Sequence, residues 1–304
     1  MKKLIISIEG KTLSESDRFR LSSPLVVGVI LFTRNYQDKR QLTELTSAIK
    51  ACSSDLFICI DQEGGRVQRL IEGFTRLPKA RSFGLQYDKN PKQAIQDLRR
   101  SAKTMFTELR SCGIDRSLVP CLDIDWGNSE IIGDRSFSTD PELVCILGQA
   151  YVKALKEEGM LVTGKHFPGH GYVSLDSHLT LPVDERSLDD IKKSDIKPYN
   201  HLISELDMIM TAHIVFPAVD SLPVTFSKVW LQTILREEMG YKGIIVSDCL
   251  TMVGAAKLYP DIVERVNAAL SAGCDWMFLC NSDAAVDELI RRKAELIELS
   301  PGGV

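Results

Sequence analysis

The sequence predicts an α/β fold, a single (β/α)8 barrel of the TIM type spanning residues 1–304 as one catalytic domain, and three observations carry that expectation. Short apolar runs recur along the chain, helix-capping signals stand between them, and polar residues gather just after the runs. The runs are continuously apolar, which suits a parallel sheet covered on both faces; a sheet wetted on one side would alternate.

The first run, "LIISI" at 4–8, follows "MKK" and stops at Glu9. It is shorter than the apolar stretch of about 7–15 residues that an export signal carries. "VVGVILF" (26–32) and "LFICI" (56–60) follow. The fourth run, "LVPCL" (118–122), contains Pro120, which removes a ladder donor and weakens the strand. "LVTG" (161–164), "MIMTA" (208–212), "GIIVS" (243–247) and "WMFLC" (276–280) complete the series. Between them, Asn90-Pro91 and Asp140-Pro141 each place a capping side chain before a proline suited to a first helical turn. Ser227 is the cap expected for "KVWLQTILREEM". Gly113, Gly159, Gly240 and Gly273 stand between a helix and the next strand, where a left-handed residue stops the helix. No GxGxxG follows the first strand to favour a doubly wound open sheet, and no repeat suggests a solenoid.

Composition narrows the function. With 44% hydrophobic and 26% charged residues the chain is an ordinary globular protein, and a net charge of −4 offers no footprint for nucleic acid. No stretch approaches the ~20 apolar residues of a membrane span. Nucleic acid and membrane are therefore not expected partners, and no obligate protein partner is evident. Cys52, Cys59, Cys112, Cys121, Cys145, Cys249, Cys274 and Cys280 lie mostly inside apolar runs without CxxC pairing. They read as reduced core thiols of a cytoplasmic protein.

A barrel gathers its chemistry at the carboxyl ends of the strands. Leaving the successive runs, the chain presents Glu9; Arg34 and Asn35; Asp61; Asp123 and Asp125; Lys165 and His166; His213; Asp248; and Asn281. Any one of these could be a merely polar strand end; as a set they point to a site. "DQEGGRVQR" (61–69) joins carboxylates to Arg66 and Arg69 across Gly64-Gly65, a backbone free to approach a hydroxyl-rich ligand. "DIDWGNSEIIGDRSF" (123–137) adds Asp134 and Arg135, with an ordinary salt-bridged loop as its plainer reading.

"KHFPGHGYVSLDSH" (165–178) crowds three histidines, a lysine and an aspartate around backbone-bending residues. Metal ligation by His166, His170, Asp176 and His178, simple turn capping, and proton transfer all remain open. An HxxxH on a loop lacks the one-face geometry of helical zinc motifs. Proton transfer is preferred: Asp176 and His178 are one residue apart, so in an extended backbone their side chains point the same way and a carboxylate can orient the imidazole.

Together with "GIIVSDCLTM" and "IGDRSF", these segments make the chain resemble the family 3 glycoside hydrolases, and within them the single-domain bacterial β-N-acetylglucosaminidases of cell-wall recycling. The resemblance runs from "IEG" at residue 8 to "CN" at residue 281. It implies Asp248 as catalytic nucleophile, His178 as acid/base and Asp176 as its dyad partner. It implies that Asp61, Arg69, Arg135, Lys165 and His166 hold an N-acetylglucosamine ring in a non-reducing-end pocket. A retaining two-step hydrolysis of a saccharide or muropeptide, with neither cofactor nor resident metal, is the implied reaction. The family pattern has a small or acidic residue after the nucleophile; here Cys249 stands there. With the sequence running to "SPGGV", a second α/β domain of the kind from which larger members draw catalytic residues is not expected. A metal-dependent amidohydrolase-like barrel and a non-catalytic sugar-binding barrel are the competing readings.

Overall fold

The computed structural model describes residues 3–174 and 181–297. Eight parallel strands build it: β1 (Leu4–Ser7), β2 (Val26–Leu31), β3 (Phe57–Ile60), β4 (Arg116–Ser117), β5 (Thr163–Phe167), β6 (Met208–Thr211), β7 (Ile244–Ser247) and β8 (Met277–Leu279). They form two arcs, one ordered β8-β1-β2-β3-β4 and the other β7-β6-β5. At each seam a single parallel bridge joins the arcs, Cys121 to Lys165 and Val246 to Trp276. Leu122 N–H to the Lys165 carbonyl (2.8 Å) and Ser247 N–H to the Trp276 carbonyl (3.0 Å) reinforce them. The strands therefore follow chain order around a TIM-barrel-type α/β fold, with ladders inside each arc and isolated bridges at the seams.

Two strands depart from expectation. β4 pairs with β3 through Arg116 and Ser117, ahead of the expected 118–122; Leu118 N–H still reaches the Ile60 carbonyl at 2.9 Å, and beyond it the chain bonds to β5, where Pro120 has no N–H to give and only accepts, from Lys165 N–H at 3.2 Å. β5 begins and ends later than 161–164 and pairs Phe167 with Thr211, so Lys165 and His166 belong to the strand itself.

Side chains alternate along the strands as the pleat requires. Ile5, Cys59, Met210, Val246 and Phe278 share one cluster inside the ring. Their neighbours Ile6, Ile58, Ile209, Ile245 and Leu279 join the larger core between strands and helices. The helices supply matching apolar faces: Pro91–Ser111 buries Ala94, Leu98, Ala102, Met105 and Leu109 at helical spacing. Truncating a side chain such as Leu98, which is fully buried, costs about 2–5 kcal/mol.

Helix ends follow the local signals. Asn90 and Asp140 cap through their side chains, with the following proline in the first turn. Ser227 Oγ accepts from Trp230 N–H at 3.1 Å, although the helix it opens, Val229–Glu238, is wound as a π-helix closing with Met239 N–H on the Ile234 carbonyl. Gly113, Gly159, Gly240 and Gly273 all take positive φ, the conformation that ends a helix.

Candidate active site

A cavity of about 350 Å³ opens above the inner cluster, on the carboxyl side of the strands. Asp61, Arg69, Arg135, Lys165, His166 and Asp248, expected on separate strand ends and loops, all line it. Asp176 and His178 lie outside the described residues.

One wall is a network of ion pairs. Asp61 follows β3 and accepts from Lys165 Nζ at 2.8 Å, with Arg69 at 3.5 Å from its other oxygen. Glu63 accepts from Arg135 through both oxygens, at 2.9 and 2.8 Å, and pairs with Lys165 at 2.7 Å. Burial alone would raise both carboxyls, but Lys165 and Arg69 at Asp61, and Arg135 and Lys165 at Glu63, outweigh it and hold both below the usual carboxylate range. Burial would likewise discharge Lys165, and Asp61 and Glu63 reverse that, raising it. Asp61, Glu63 and Lys165 are therefore ionised near neutrality. Lys165 is only 2% exposed, while Arg69 and Asp61 keep 34% and 18% of their side chains accessible. The accessible pair offers donors and an acceptor to hydroxyls; the buried members fix it in place.

A second cluster forms beneath His166. Asp123, fully buried, accepts from His166 Nδ1 at 2.7 Å and from the backbone N–H groups of His166 and His170. Cys121 Sγ donates to the same carboxylate at 3.2 Å. Burial pushes Asp123 up, but His166, through charge and hydrogen bond, with His170 adding, brings it below the usual range. Burial first, then His166, pushes the His170 imidazole down. Cys121, Asp123 and His166 also bring three potential metal-ligand atoms within 4.8 Å of one another. The hydrogen bonds to Asp123 account for that proximity without an ion.

Asp248 leaves β7 with its Oδ1 accepting from Cys249 N–H at 2.7 Å, and its own N–H reaches the Thr211 carbonyl at 3.3 Å. His213, buried, holds this turn from behind: its ring nitrogens lie 2.8 Å from Thr225 Oγ1 and 3.0 Å from the Cys249 carbonyl. His213 is thus a support for the Asp248–Cys249 turn. Asn281 closes β8 in the left-handed region (φ 56°), its N–H on Ser7 Oγ at 2.8 Å, and lines the cavity. Asparagine tolerates that conformation.

Several strand-end residues serve the scaffold instead. Arg34 and Asn35 donate to the Ile8 carbonyl, Asp125 pairs with Arg81, and Asp134 pairs with Arg66 and Lys79. Gly64 and Gly65 do not open the backbone to a ligand. They turn a hairpin between Gln62–Gly64 and Val67–Gln68, and a Cβ on Gly64 would meet the Pro78 carbonyl oxygen at 2.3 Å. Glu63, the residue that anchors Arg135, was not singled out from sequence. Its signal was its position two residues after Asp61, on the same side of a strand-like segment.

The sequence and fold are shared with known proteins. Residues 4–299 match the family described as Glycosyl hydrolase family 3 N terminal domain. The chain is 47% identical over 291 residues to a beta-hexosaminidase of Thiobacillus denitrificans, covering 95% of this chain and 81% of that protein. It is similar to the crystal structure of NagZ from Neisseria gonorrhoeae in complex with N-trifluoroacetyl-D-glucosamine, with a TM-score of 0.92, 43% identity, and coverage of 99% of this chain and 87% of that one. A family 3 beta-N-acetylglucosaminidase from Paenibacillus is similar at a TM-score of 0.89 and 32% identity, over 97% of this chain and 58% of that one.

Proposed function

The chain belongs to glycosyl hydrolase family 3 and is a glycoside hydrolase of the β-hexosaminidase kind, and from that premise we propose that it removes terminal non-reducing β-linked N-acetylglucosamine from peptidoglycan fragments of the anhydro-muropeptide class. The observation that carries this reading is Asp248 sharing a cavity with Asp61, Arg69, Lys165 and Arg135, which Glu63 ties together from behind. A carboxylate facing a wall of fixed donors and acceptors suits attack on a held sugar. The N-acylated glucosamine in the gonococcal complex named above supports the choice of sugar.

The proposed reaction retains configuration through two displacements. Asp248 attacks the anomeric carbon and forms a glycosyl ester while His178, oriented by Asp176, protonates the departing oxygen. His178 then takes a proton from water, which hydrolyses the ester. A neutral imidazole base avoids repelling the anionic nucleophile. Asp61, Arg69, Arg135, Lys165 and His166 are assigned to the ring of the bound sugar.

A second reading concerns the proton donor alone. The Asp123–His166 pair, at 2.7 Å, is itself a carboxylate-oriented imidazole lining the cavity. If His166 acted as acid, His178 would be the binding residue.

The metal-dependent amidohydrolase reading loses support because Asp123 already accepts from four donors, two of them backbone. The non-catalytic sugar-binding reading would call for a cavity without a nucleophile, and Asp248 lines this one. A single catalytic domain over residues 1–304 is supported by the family match to 4–299. The cytoplasm is the proposed location, which eight free cysteines suit. Steady-state hydrolysis of aryl β-N-acetylglucosaminide against aryl β-glucoside tests the sugar assignment. Strong preference for the first, with a β-configured first product by NMR, is expected; equal rates or an α-configured product would overturn it.

A further inference from the structure

Two thiols stand in the cavity wall beside Asp248. Cys280 N–H donates to Cys249 Sγ at 3.1 Å, and Cys249 Sγ lies 3.0 Å from Thr251 Oγ1, which donates to the Cys280 carbonyl at 2.8 Å. Leu250 N–H on the Phe278 carbonyl (2.9 Å) ties the same two segments together. Both cysteines line the cavity, so a small solute entering it reaches them.

We propose that Cys249 and Cys280 are an oxidant-responsive pair, which a hydroperoxide converts to a disulfide that disables the Asp248 carboxylate. In the first step the Cys249 thiolate attacks one oxygen of the hydroperoxide. The O–O bond breaks, Cys249 becomes a sulfenic acid, and the other oxygen leaves as alcohol or water with the proton Cys249 gave up. Cys280 sulfur then attacks the sulfenic sulfur, and the hydroxyl leaves as water with the Cys280 proton. Two thiols lose two electrons, and the hydroperoxide gains them.

The electrostatics select Cys249 as the attacking thiol. The Cys280 thiol first, then Thr251 and the Cys280 N–H, stabilise its thiolate against burial and bring it down to about 7. Burial pushes Cys59, Cys274 and Cys145 the other way, Cys145 up to about 11. The consequence for turnover rests on the catalytic role proposed for Asp248. Drawing the sulfurs to a bond of about 2.05 Å turns Cys249 toward Cys280. The Cys249 N–H, which holds Asp248 Oδ1 at 2.7 Å, must move with it. A misplacement near 1 Å at a reacting group costs roughly 10²-fold in rate.

The test uses the full chain, reduced and then exposed to hydrogen peroxide, with free thiols alkylated under denaturing conditions before peptide mapping. The expected result is a peptide pair linked through Cys249 and Cys280, together with a loss of aryl β-N-acetylglucosaminide hydrolysis near 10²-fold that dithiothreitol reverses. In Cys280→Ser both the linked pair and the reversible loss should vanish. Absence of the 249–280 linkage after peroxide, or its presence with undiminished hydrolysis, would overturn the proposal. Failure of untreated enzyme to cleave any β-N-acetylglucosaminide would instead sink the functional reading, and the peptide map would still decide the thiol pair.

Discussion

Glu63 grips the Arg135 guanidinium with both carboxylate oxygens, at 2.9 and 2.8 Å, and the same carboxylate sits 2.7 Å from Lys165 Nζ. One buried acid therefore positions two cations of the cavity wall. Glu63→Gln should leave two buried cations with one counter-charge fewer, a loss on the order of 3–5 kcal/mol. Urea unfolding should show it as a lower midpoint, and the surviving folded enzyme should show a raised KM before a lowered kcat. An unchanged midpoint would mean that the pair is screened by solvent and organises nothing.

The same groups set the acid limb of stability. Glu63, Asp61 and Asp123 are all held below the usual carboxylate range in the folded protein by neighbouring cations or imidazole that overcome burial. For a depressed carboxyl the unfolded chain binds more protons, so its stabilisation is fully present above the ordinary range and is lost as pH falls through the folded value. Stability should thus hold from neutrality down to about pH 5 and decline steadily below about pH 4. Urea titrations at a series of pH values would check this, and Glu63→Gln should flatten the slope.

How much of this was legible beforehand follows from physics at particular positions. Asp61, Asp123 and Asp248 were legible as members of a set, because each ends an apolar run; singly each could be a merely polar strand end, and the choice of Asp248 among the carboxylates came from the family resemblance. Glu63 was hidden because a carboxylate two residues past a strand reads as surface charge until Lys165, a hundred residues on, is seen to meet it. Gly64-Gly65 misled in the other direction: left-handed freedom was visible, but the Leu77–Lys79 backbone against which it turns was not. His213 stood among the strand-end residues of the expected site, and only the fold reveals Thr225 and the Cys249 carbonyl as its partners. Sequence spacing reports which face a residue takes; it does not report what a distant segment brings to that face.

Activity should survive metal removal. Among the described residues Cys121, Asp123 and His166 form the one cluster able to take an ion, and each is already hydrogen-bonded within it. Exhaustive dialysis against EDTA is expected to leave kcat/KM within about twofold, well under the 10²–10³ that loss of a charge-stabilising centre costs. Loss of activity restored by a stoichiometric divalent ion would revive the metal-dependent reading.

Asp248→Asn should fold and fail. The amide keeps the size of the side chain and an oxygen able to accept from Cys249 N–H, so circular dichroism and thermal unfolding should match the parent. A neutral amide cannot form the glycosyl ester, and turnover should drop roughly 10⁴-fold or more. Turnover close to the parent's would remove Asp248 from the mechanism and send the search to Asp61 and Asp123.

Two imidazoles compete for the role of proton donor, and leaving-group chemistry separates them. A general acid matters most when the departing oxygen is a poor leaving group, and little when it leaves as a stable anion. If His178 is the acid, His178→Ala should lose rate steeply on sugar leaving groups and far less on dinitrophenyl glycosides, with Asp176→Ala a weaker copy through misorientation of the ring. His166→Ala should then lose a similar factor on every substrate, because a residue that only holds the sugar does not sense the leaving group. The Asp123–His166 contact at 2.7 Å supports the reverse pattern. Pre-steady-state rates of the glycosylation step across a leaving-group series decide between them: the variant whose loss grows with leaving-group pKa has lost the acid. Equal, flat losses in both variants would exclude both histidines and leave proton delivery to water.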